Sequence, residues 1–401
     1  MDNDSLSTRC LWSNVNFGEA VSEVMTPLTW SLLQTWRGQW PPARDLPPFG
    51  NIAGRLYLNV SYYAASLELV GKRGPAMLAA LKDTLHMPLP AGIEIPAGAL
   101  SLPEKLAFVF AWGLARIRWA QVARTLPLFI AANRAWCTNM RQTIQAVSDP
   151  NSLALVWQNE LQPRSLQAYV GVLSSAMRFS EIASPLRQEL TVLVGADDAD
   201  ALLSNLSSPS EPLASLGPLA GLSRLRRGEI TPQDYIDNYG HRGPNEWELF
   251  TPRPVEQPGW LEAQQADVQS PPVDVEKLLE QQRERFAAAL ARLEQQHLHR
   301  LAPLRRRIDE AARRGRLREA IRSELVRVIW VLRLWAMHAG QVTGLHEDIF
   351  FLTEAEILAL LAGGSAAGQE IPLRRETYQQ QRSLPPYPPL ILGSFDPLAW
   401  A

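Results

Sequence analysis

Apolar residues recur every three to four positions over most of the chain, which is the spacing of amphipathic helices. The run Leu102–Val147 is the longest in the first half, and Pro127 is expected to break or kink it into two helices. Asn151–Gly195 predicts two more helices, divided near Pro163 or Pro185. Helices therefore account for most of the first half of the chain.

The second half has an even stronger helical pattern. Val273–Gly340 is expected to form at least three helices, divided at Pro303 and Gly315. Thr251–Pro272 contains five prolines and little apolar periodicity, so it predicts a long irregular loop. Before it, Thr231 precedes a proline and a short apolar pattern, which indicates the N-cap of a helix.

Strand patterns are few. Arg55–Val60 alternates polar and apolar residues, and Ile349–Leu352 is a weaker candidate. No alternation of strands and helices and no internal repeat is found in the sequence. We therefore predict a mainly α protein with at most a small β element near residues 55–60.

Composition and charge exclude several classes of protein. The chain has 401 residues, of which 46% are hydrophobic and 20% charged, values typical of soluble globular proteins. Its net charge of −2 gives no overall basic surface for nucleic acid. Cys10 and Cys137 are the two cysteines, and they lack metal-site spacing, which favours a reducing compartment.

The sequence also argues against membrane insertion. Met1–Ser5 is acidic and polar, unlike a signal peptide. The apolar runs Leu106–Ala115 and Val328–Met337 are too short to span a bilayer. We expect a cytoplasmic protein with neither a membrane nor a nucleic acid as partner.

The segment Tyr239–Leu249 concentrates the most chemistry. Its charged side chains lie between glycines and a proline that predict a turn, and they are His241, Arg242, Glu246 and Glu248. A turn on a helical scaffold can hold such groups in fixed positions. A solvated loop that carries unrelated charges is the alternative interpretation.

A second concentration of charge lies between Arg300 and Arg333, a segment that contains eleven arginines and four acidic residues. Arg318 and Arg322 are one helical turn apart, a spacing suited to gripping a phosphate or a carboxylate. A solvated helix face with local ion pairs explains the same pattern. Nucleic-acid binding is disfavoured because the basic core lacks interleaved aromatic residues.

Familiar catalytic and metal-binding motifs are missing. The sequence has no P-loop, no Gly-x-Ser-x-Gly and no His-Glu-x-x-His. His297 and His299 alternate in a helical segment and so point apart, and His86 has no identifiable partner. We predict no metal site.

Three separated regions resemble one family, and they span nearly the whole chain. The first is Trp12–Glu19 followed by Met25–Ser31 and Gly54–Ser61, the second is Tyr239–Leu249 with Pro252-Arg253, and the third is Glu347–Thr353 with Leu384–Pro389 and Phe395–Pro397. Their order and spacing resemble the middle, substrate-binding module of phosphoenolpyruvate-synthase-like enzymes, most closely the rifampicin phosphotransferases.

The resemblance implies a division of labour. In that family an ATP-grasp module phosphorylates a histidine on a swivelling module, which carries the phosphoryl group to an acceptor in the helical middle module. This sequence has no ATP-grasp region and no Thr-x-His-x-Ala string. We therefore expect no cofactor on this chain, with ATP and Mg²⁺ on a separate partner module and a separately encoded phosphohistidine carrier. The chain alone is expected not to use ATP.

The resemblance also implies roles and boundaries. A small hydroxylated molecule would be phosphorylated here, and in some relatives the phosphate is then eliminated, which gives net dehydration. His241 or Glu246 would act as the base beside Arg242, and the residues expected to bind substrate or phosphate are Arg318, Arg322, Glu248 and Arg55. The expected parts are 1–61, 62–250, the loop 251–272 and 273–401. A non-enzymatic small-molecule binding protein derived from this module is the alternative.

Overall fold

Long helices make up most of the structure, which is a computed structural model. It describes residues 3–6, 9–15, 20–43, 46–69, 71–85, 89–90, 93, 95–96, 101–204, 216–266, 275–364 and 368–400, with the backbone alone at 83–85, 265–266 and 275–276. The helices are α1 (Pro27–Arg37), α2 (Val60–Leu69), α3 (Pro75–Leu85), α4 (Leu102–Ala146), α5 (Pro150–Val156), α6 (Gln162–Val194), α7 (Ala196–Leu202), α8 (Gly217–Arg226), α9 (Pro232–Tyr239), α10 (Trp260–Ala266), α11 (Val275–Thr343), α12 (Glu354–Leu361), α13 (Ile371–Ser383) and α14 (Pro397–Trp400). The predicted mainly α fold is confirmed.

Short strands form one small antiparallel sheet. The strands are β1 (Leu11–Ser13), β2 (Phe49–Ile52), β3 (Arg55–Asn59) and β4 (Leu390–Leu392), in the order β2-β3-β1-β4. The tight turn between β2 and β3 places Ala53 and Gly54 at φ 45° and 90°, as a two-residue hairpin requires. The predicted β element near residues 55–60 is thus confirmed, and β4 joins the C-terminal part of the chain to the N-terminal strands.

Local capping signals explain several helix starts. Thr231 caps α9 and Thr353 caps α12, each in a capping box with an acidic residue three positions later. The predicted N-cap at Thr231 is therefore confirmed. Near the predicted division at Pro163, a π-helical turn at Trp157–Leu161 lies between α5 and α6 while the backbone stays helical, and Pro185 lies inside α6.

Three expected helix breaks are wrong. α4 runs as one helix through Pro127, whose ring is exposed while Leu126 and Phe129 beside it are buried. Burial on the inner side thus outweighs the one hydrogen bond that proline removes on the outer side. α11 likewise continues through Pro303 and Gly315 and is kinked only at His297, where the backbone leaves the helical region (φ −139°, ψ 44°).

Two smaller expectations also fail. Ile349–Leu352 is not a strand, because His346–Phe351 forms a 3₁₀ helix that begins at a residue with φ 49°. The expected loop Thr251–Pro272 contains a 3₁₀ turn at Pro254–Glu256 and the helix α10, while its last part, from residue 267, lies outside the described residues. Short apolar runs and proline-rich segments fold here according to tertiary contacts that periodicity does not encode.

The main core lies where α1, α4, α6 and α11 meet. Trp36 is fully buried, stacks on Tyr169 at 4.8 Å between ring centroids, and meets Trp247 edge-on at 5.8 Å. Trp157 and Trp335 form a second aromatic pair at 4.3 Å. Such pairs bury large apolar areas, and they fix α1 and the segment after α9 against the long helices. Within the described residues, no helix is both long enough and apolar enough to cross a membrane.

The close contact at Gly340 in α11 gives a stability prediction. A Cβ added there would lie 2.1 Å from the carbonyl oxygen of His346, a backbone atom that cannot move aside easily. We expect Gly340→Ala to lower the free energy of unfolding in urea by about 1–3 kcal/mol. Gly113→Ala is the control, because nothing lies within 4 Å of its added Cβ and alanine favours helix by about 0.5–1 kcal/mol. Equal stability of the two variants would contradict the packing at Gly340.

Candidate functional site

The segment Tyr239–Leu249 folds as a series of turns between α9 and the 3₁₀ turn at residues 254–256, and it packs on α11. Most of its charged side chains are buried: His241 is 1% exposed, Glu246 5% and Glu248 0%. The alternative of a solvated loop therefore does not describe this segment. Buried charges are expensive unless they are paired or hydrogen-bonded, so each needs a specific partner.

His241 sits against the middle of α11. Its Nε2 atom lies 2.8 Å from the hydroxyl of Ser323, and its Nδ1 atom has no hydrogen-bond partner in the described part of the chain. The pKa of His241 is held well below its ordinary value of 6.5, first by burial and then by the positive charge of nearby arginines. Those arginines are Arg327, Arg242, Arg253 and Arg141. His241 is therefore a neutral imidazole at physiological pH.

Two of these arginines are held by carboxylates. Arg242 Nε lies 2.5 Å from Glu246 Oε1, and both side chains are largely buried. Arg327 pairs with Glu324 at 3.3 Å and donates to the carbonyls of residues 237 and 238 at the end of α9. These contacts fix the direction of each guanidinium, so the positive charge around His241 has a defined position.

Arg253 is the most buried arginine of the group, with 0% exposure. Its Nη2 atom donates to the carbonyl of Glu246 at 2.7 Å, whereas Nε and Nη1 have no partner among the described residues. Burial lowers its pKa to about 10, against the opposing effects of Glu246 and Glu256. A buried guanidinium with two unused donors is suited to binding an anion.

Glu248 ties the segment to the N-terminal part of the chain. Its carboxylate accepts hydrogen bonds from the backbone N–H and hydroxyl of Thr26 at 3.0 and 2.7 Å, the hydroxyl of Thr29 at 2.9 Å and the N–H of Phe250 at 2.9 Å. Burial raises the pKa of Glu248 while these donors lower it. The first and second regions that carry the family resemblance thus meet at one buried carboxylate, which serves here as a structural tie.

The predicted phosphate-binding arginines Arg318 and Arg322 lie on α11, and neither is among the arginines whose charge lowers the pKa of His241. Arg322 directly precedes Ser323, the partner of His241, and Arg318 lies one turn earlier with its guanidinium 5.5 Å from the ring of Phe179. Arg333, further along α11, donates to the carbonyls of residues 249 and 250 at 2.8 and 3.0 Å. The segment after α9 and the arginine-rich helix, about 70 residues apart in sequence, are therefore in direct contact.

Arg55 lies elsewhere. It extends from β3 over the ring of Tyr387 at 4.6 Å, and its guanidinium donates weakly to the carbonyls of Ser22 and Leu384, both at 3.4 Å. These contacts join the sheet to the N-terminal and C-terminal segments. These contacts do not reach His241 or the arginines around it.

A separate cleft of about 210 Å³ lies beside α1. Its lining comes from α1, β2 and the start of α12 and α13: Met25, Thr26, Pro27, Trp30, Ser31, Gln34, Asn51, Thr353 and Arg374. Arg374 is bound by the carboxylate of Glu356 at 2.7 and 2.9 Å. Met25–Ser31 and Thr353 belong to the strings that carry the family resemblance, which predicted no site at them. Gln34, Asn51 and Arg374 were not predicted at all, because only the tertiary fold brings them together.

The other described histidines belong to no candidate metal site. The described residues contain no group of three His, Cys, Asp or Glu side chains placed to hold a metal ion. His297 bonds to the carbonyl of Leu193 and His338 to that of Val147. His86 lies outside the described residues.

No family model matches this chain, and no curated protein matches it. The family resemblance therefore stays a prediction that depends on the quoted strings.

The lowered pKa of His241 predicts a specific dependence of stability on pH. The unfolded chain takes up a proton near pH 6.5, whereas the folded chain does so only well below it. The stabilisation is therefore complete above pH 6.5 and is lost as the pH falls toward the lowered pKa. We expect His241→Gln to flatten the fall in thermal midpoint between pH 7.5 and 5 (about the range of titration). His299→Gln, on an exposed part of α11, should keep the wild-type slope, and the same slope in both variants would contradict the assignment.

The hydrogen bonds of the Glu248 carboxylate predict that its removal strongly lowers the stability of the fold. Glu248→Ala removes the acceptor of four hydrogen bonds and should lower the free energy of unfolding by more than about 3 kcal/mol. Glu229→Ala removes an exposed carboxylate that pairs with Arg227, and it should change stability little. Urea unfolding of both variants gives the comparison. A Glu248→Ala variant as stable as wild type would rule out the tie.

Proposed function

We propose that this chain is the acceptor-binding component of a phosphotransfer system, holding a small hydroxylated molecule that receives a phosphoryl group from a phosphohistidine on another protein. The observation that supports it is the surroundings of His241. A neutral, buried imidazole with one ring nitrogen that has no hydrogen-bond partner among the described residues lies among arginines, of which Arg242 and Arg327 are held by carboxylates. A base and an anion clamp in one place are what this reaction needs from the acceptor side.

The chemistry follows from charge. As the acceptor hydroxyl attacks, the bond between phosphorus and the carrier nitrogen breaks, a phosphorus–oxygen bond forms, and the hydroxyl proton passes to His241. Arginines would stabilise the negative charge spread over the phosphoryl oxygens. The arriving anion would also offset the positive charge that lowers the pKa of His241. The imidazole would thus become a stronger base at the moment when a proton must be accepted.

The roles within the segment divide accordingly. His241 is the proposed base, and Arg242 and Arg253 are proposed to hold the phosphoryl group together with Arg322 of α11. Glu246 keeps Arg242 in position through the 2.5 Å contact. ATP and Mg²⁺ would act on a separate partner protein. Where the phosphorylated hydroxyl is then eliminated, the same arginines would hold the departing phosphate.

The cleft beside α1 supports a second candidate, a small-molecule binding protein without catalysis. Among its lining residues the ionisable side chain is Arg374, which is engaged by Glu356 and Glu370. A ligand in this cleft would find hydroxyl and amide groups but no base. The two candidates therefore place the ligand on different residues, so variants can separate them.

The test is a reconstituted reaction. The purified chain is incubated with ATP, Mg²⁺, an ATP-grasp protein and a phosphohistidine carrier encoded near it, and a metabolite pool is followed by mass spectrometry for phosphorylated or dehydrated products. We expect His241→Gln and Arg322→Ala to reduce turnover at least about 100-fold, the range of general-base and charge-stabilising groups. His299→Gln should keep full activity.

Two outcomes decide between the candidates. Turnover that survives in His241→Gln, with its thermal midpoint unchanged at pH 7.5, would overturn the proposed base. The binding-protein candidate would be favoured by a metabolite that binds the wild-type chain without being converted, provided that Gln34→Ala abolishes this binding. Gln34 is exposed at the cleft, so its truncation should not disturb folding.

A further inference from the structure

The outward face of α4 carries an uninterrupted stripe of exposed apolar side chains. Its members fall at spacings of three and four residues and are half or more exposed: Leu102, Leu106, Val109, Phe110, Leu114 and Ile117, with exposures of 71%, 64%, 50%, 68%, 53% and 59%. Gly113 lies within the stripe, and nothing lies within 4 Å of a Cβ built there. A patch of this length on a soluble surface marks an interaction site.

The opposite face of the same helix is firmly packed. Phe108 and Trp119 are nearly fully buried, and Trp112 meets Trp119 edge-on at 5.7 Å between centroids. Trp40 packs edge-on against Trp119 at 5.9 Å. The helix therefore cannot turn its stripe inward without giving up this aromatic cluster, and the stripe is a permanent feature of the surface.

With one exception, the charged residues of this helix are basic. Glu104 is the only acidic residue of the 45 in α4, and it accepts hydrogen bonds from the N–H and hydroxyl of Ser101 in the N-terminal capping box. The exposed basic residues near the stripe are Lys105, Arg116, Arg118 and Arg124. Arg116 also pairs with Glu181 at 2.8 Å, an exposed contact of small energetic weight. An occupant of this face must therefore be apolar at its centre and negatively charged at its margins.

A second copy of the chain does not fit this pattern. In an antiparallel pairing centred on Phe110, Lys105 of one copy lies opposite Arg116 of the other, and like charges meet. A protein interface would also carry about one hydrogen bond per 100–200 Å². From Leu106 to Leu114 the sequence has no polar side chain other than the indole N–H of Trp112, which belongs to the packed face.

We propose that the outward face of α4 binds an anionic lipid surface, with the helix lying in the plane of the membrane interface. Leucine, phenylalanine and isoleucine side chains would enter the boundary between headgroups and acyl chains, and Lys105, Arg116 and Arg118 would contact the phosphates, as in interfacial amphipathic helices. A surface contact of this kind differs from the sequence-based expectation that the chain has no membrane partner. It does not depend on the chemistry at His241.

The test is co-sedimentation of the full chain with vesicles of phosphatidylglycerol and phosphatidylcholine, with pure phosphatidylcholine vesicles alongside. We expect binding to the anionic vesicles that weakens as salt is raised, since the surface potential is screened. Leu106→Ser combined with Phe110→Ser should reduce binding at least tenfold, and Lys105→Glu combined with Arg118→Glu should also reduce it. Val192→Ser, an equally exposed apolar residue on α6, is the matched control and should bind like wild type.

Circular dichroism of each variant shows whether folding is preserved, which these exposed positions should allow. Failure of the wild-type chain to bind anionic vesicles at low salt overturns the proposal, as does equal binding to neutral vesicles. Unchanged binding by the Leu106→Ser and Phe110→Ser double variant does the same. A dimer in sedimentation equilibrium that the same double variant dissociates would assign the stripe to a second copy instead.

Discussion

The arrangement of the N-terminal segment, the turn after α9 and the cleft depends on one buried carboxylate, that of Glu248. A carboxylate without exposure to water is tolerated only where hydrogen bonds replace its hydration. Four donors from Thr26, Thr29 and Phe250 do so here. Because Thr26 is the N-cap of α1, the same contact sets where that helix begins and places Thr26 in the wall of the cleft.

The buried charges near His241, like the buried carboxylate of Glu248, need polar partners. Burying several arginines near one imidazole costs free energy that their carboxylate and carbonyl partners offset. Arg327, near His241, uses Glu324 and the end of α9. Arg333, further along α11, uses Glu256 and the carbonyl of residue 249. These contacts explain why the segment is pinned to α11 at several points. Burial of His241, together with the positive charge of nearby arginines, holds the pKa of its imidazole well below 6.5, and this is an electrostatic consequence of the fold.

The sequence predicted an element correctly where neighbouring residues determine its structure. Thr231 beside a proline predicted the start of α9, and the alternation in Arg55–Val60 predicted β3. The prediction failed where contacts between residues distant in sequence determine the structure. Pro127 and Gly315 remain within helices because their neighbours are buried in the core, and Ile349–Leu352 is buried at every position, so alternation carried no information.

The candidate site shows the same division. The composition of the Tyr239–Leu249 segment drew attention to His241 and Glu246, but Ser323 and Arg253 acquire their importance only through contacts across the fold. Two carboxylates of that segment, two residues apart, have different partners. Glu246 faces arginines and Glu248 faces threonine hydroxyls and N–H groups. Charge density in a sequence thus locates such a segment, while the partner of each charge decides whether it serves structure or chemistry.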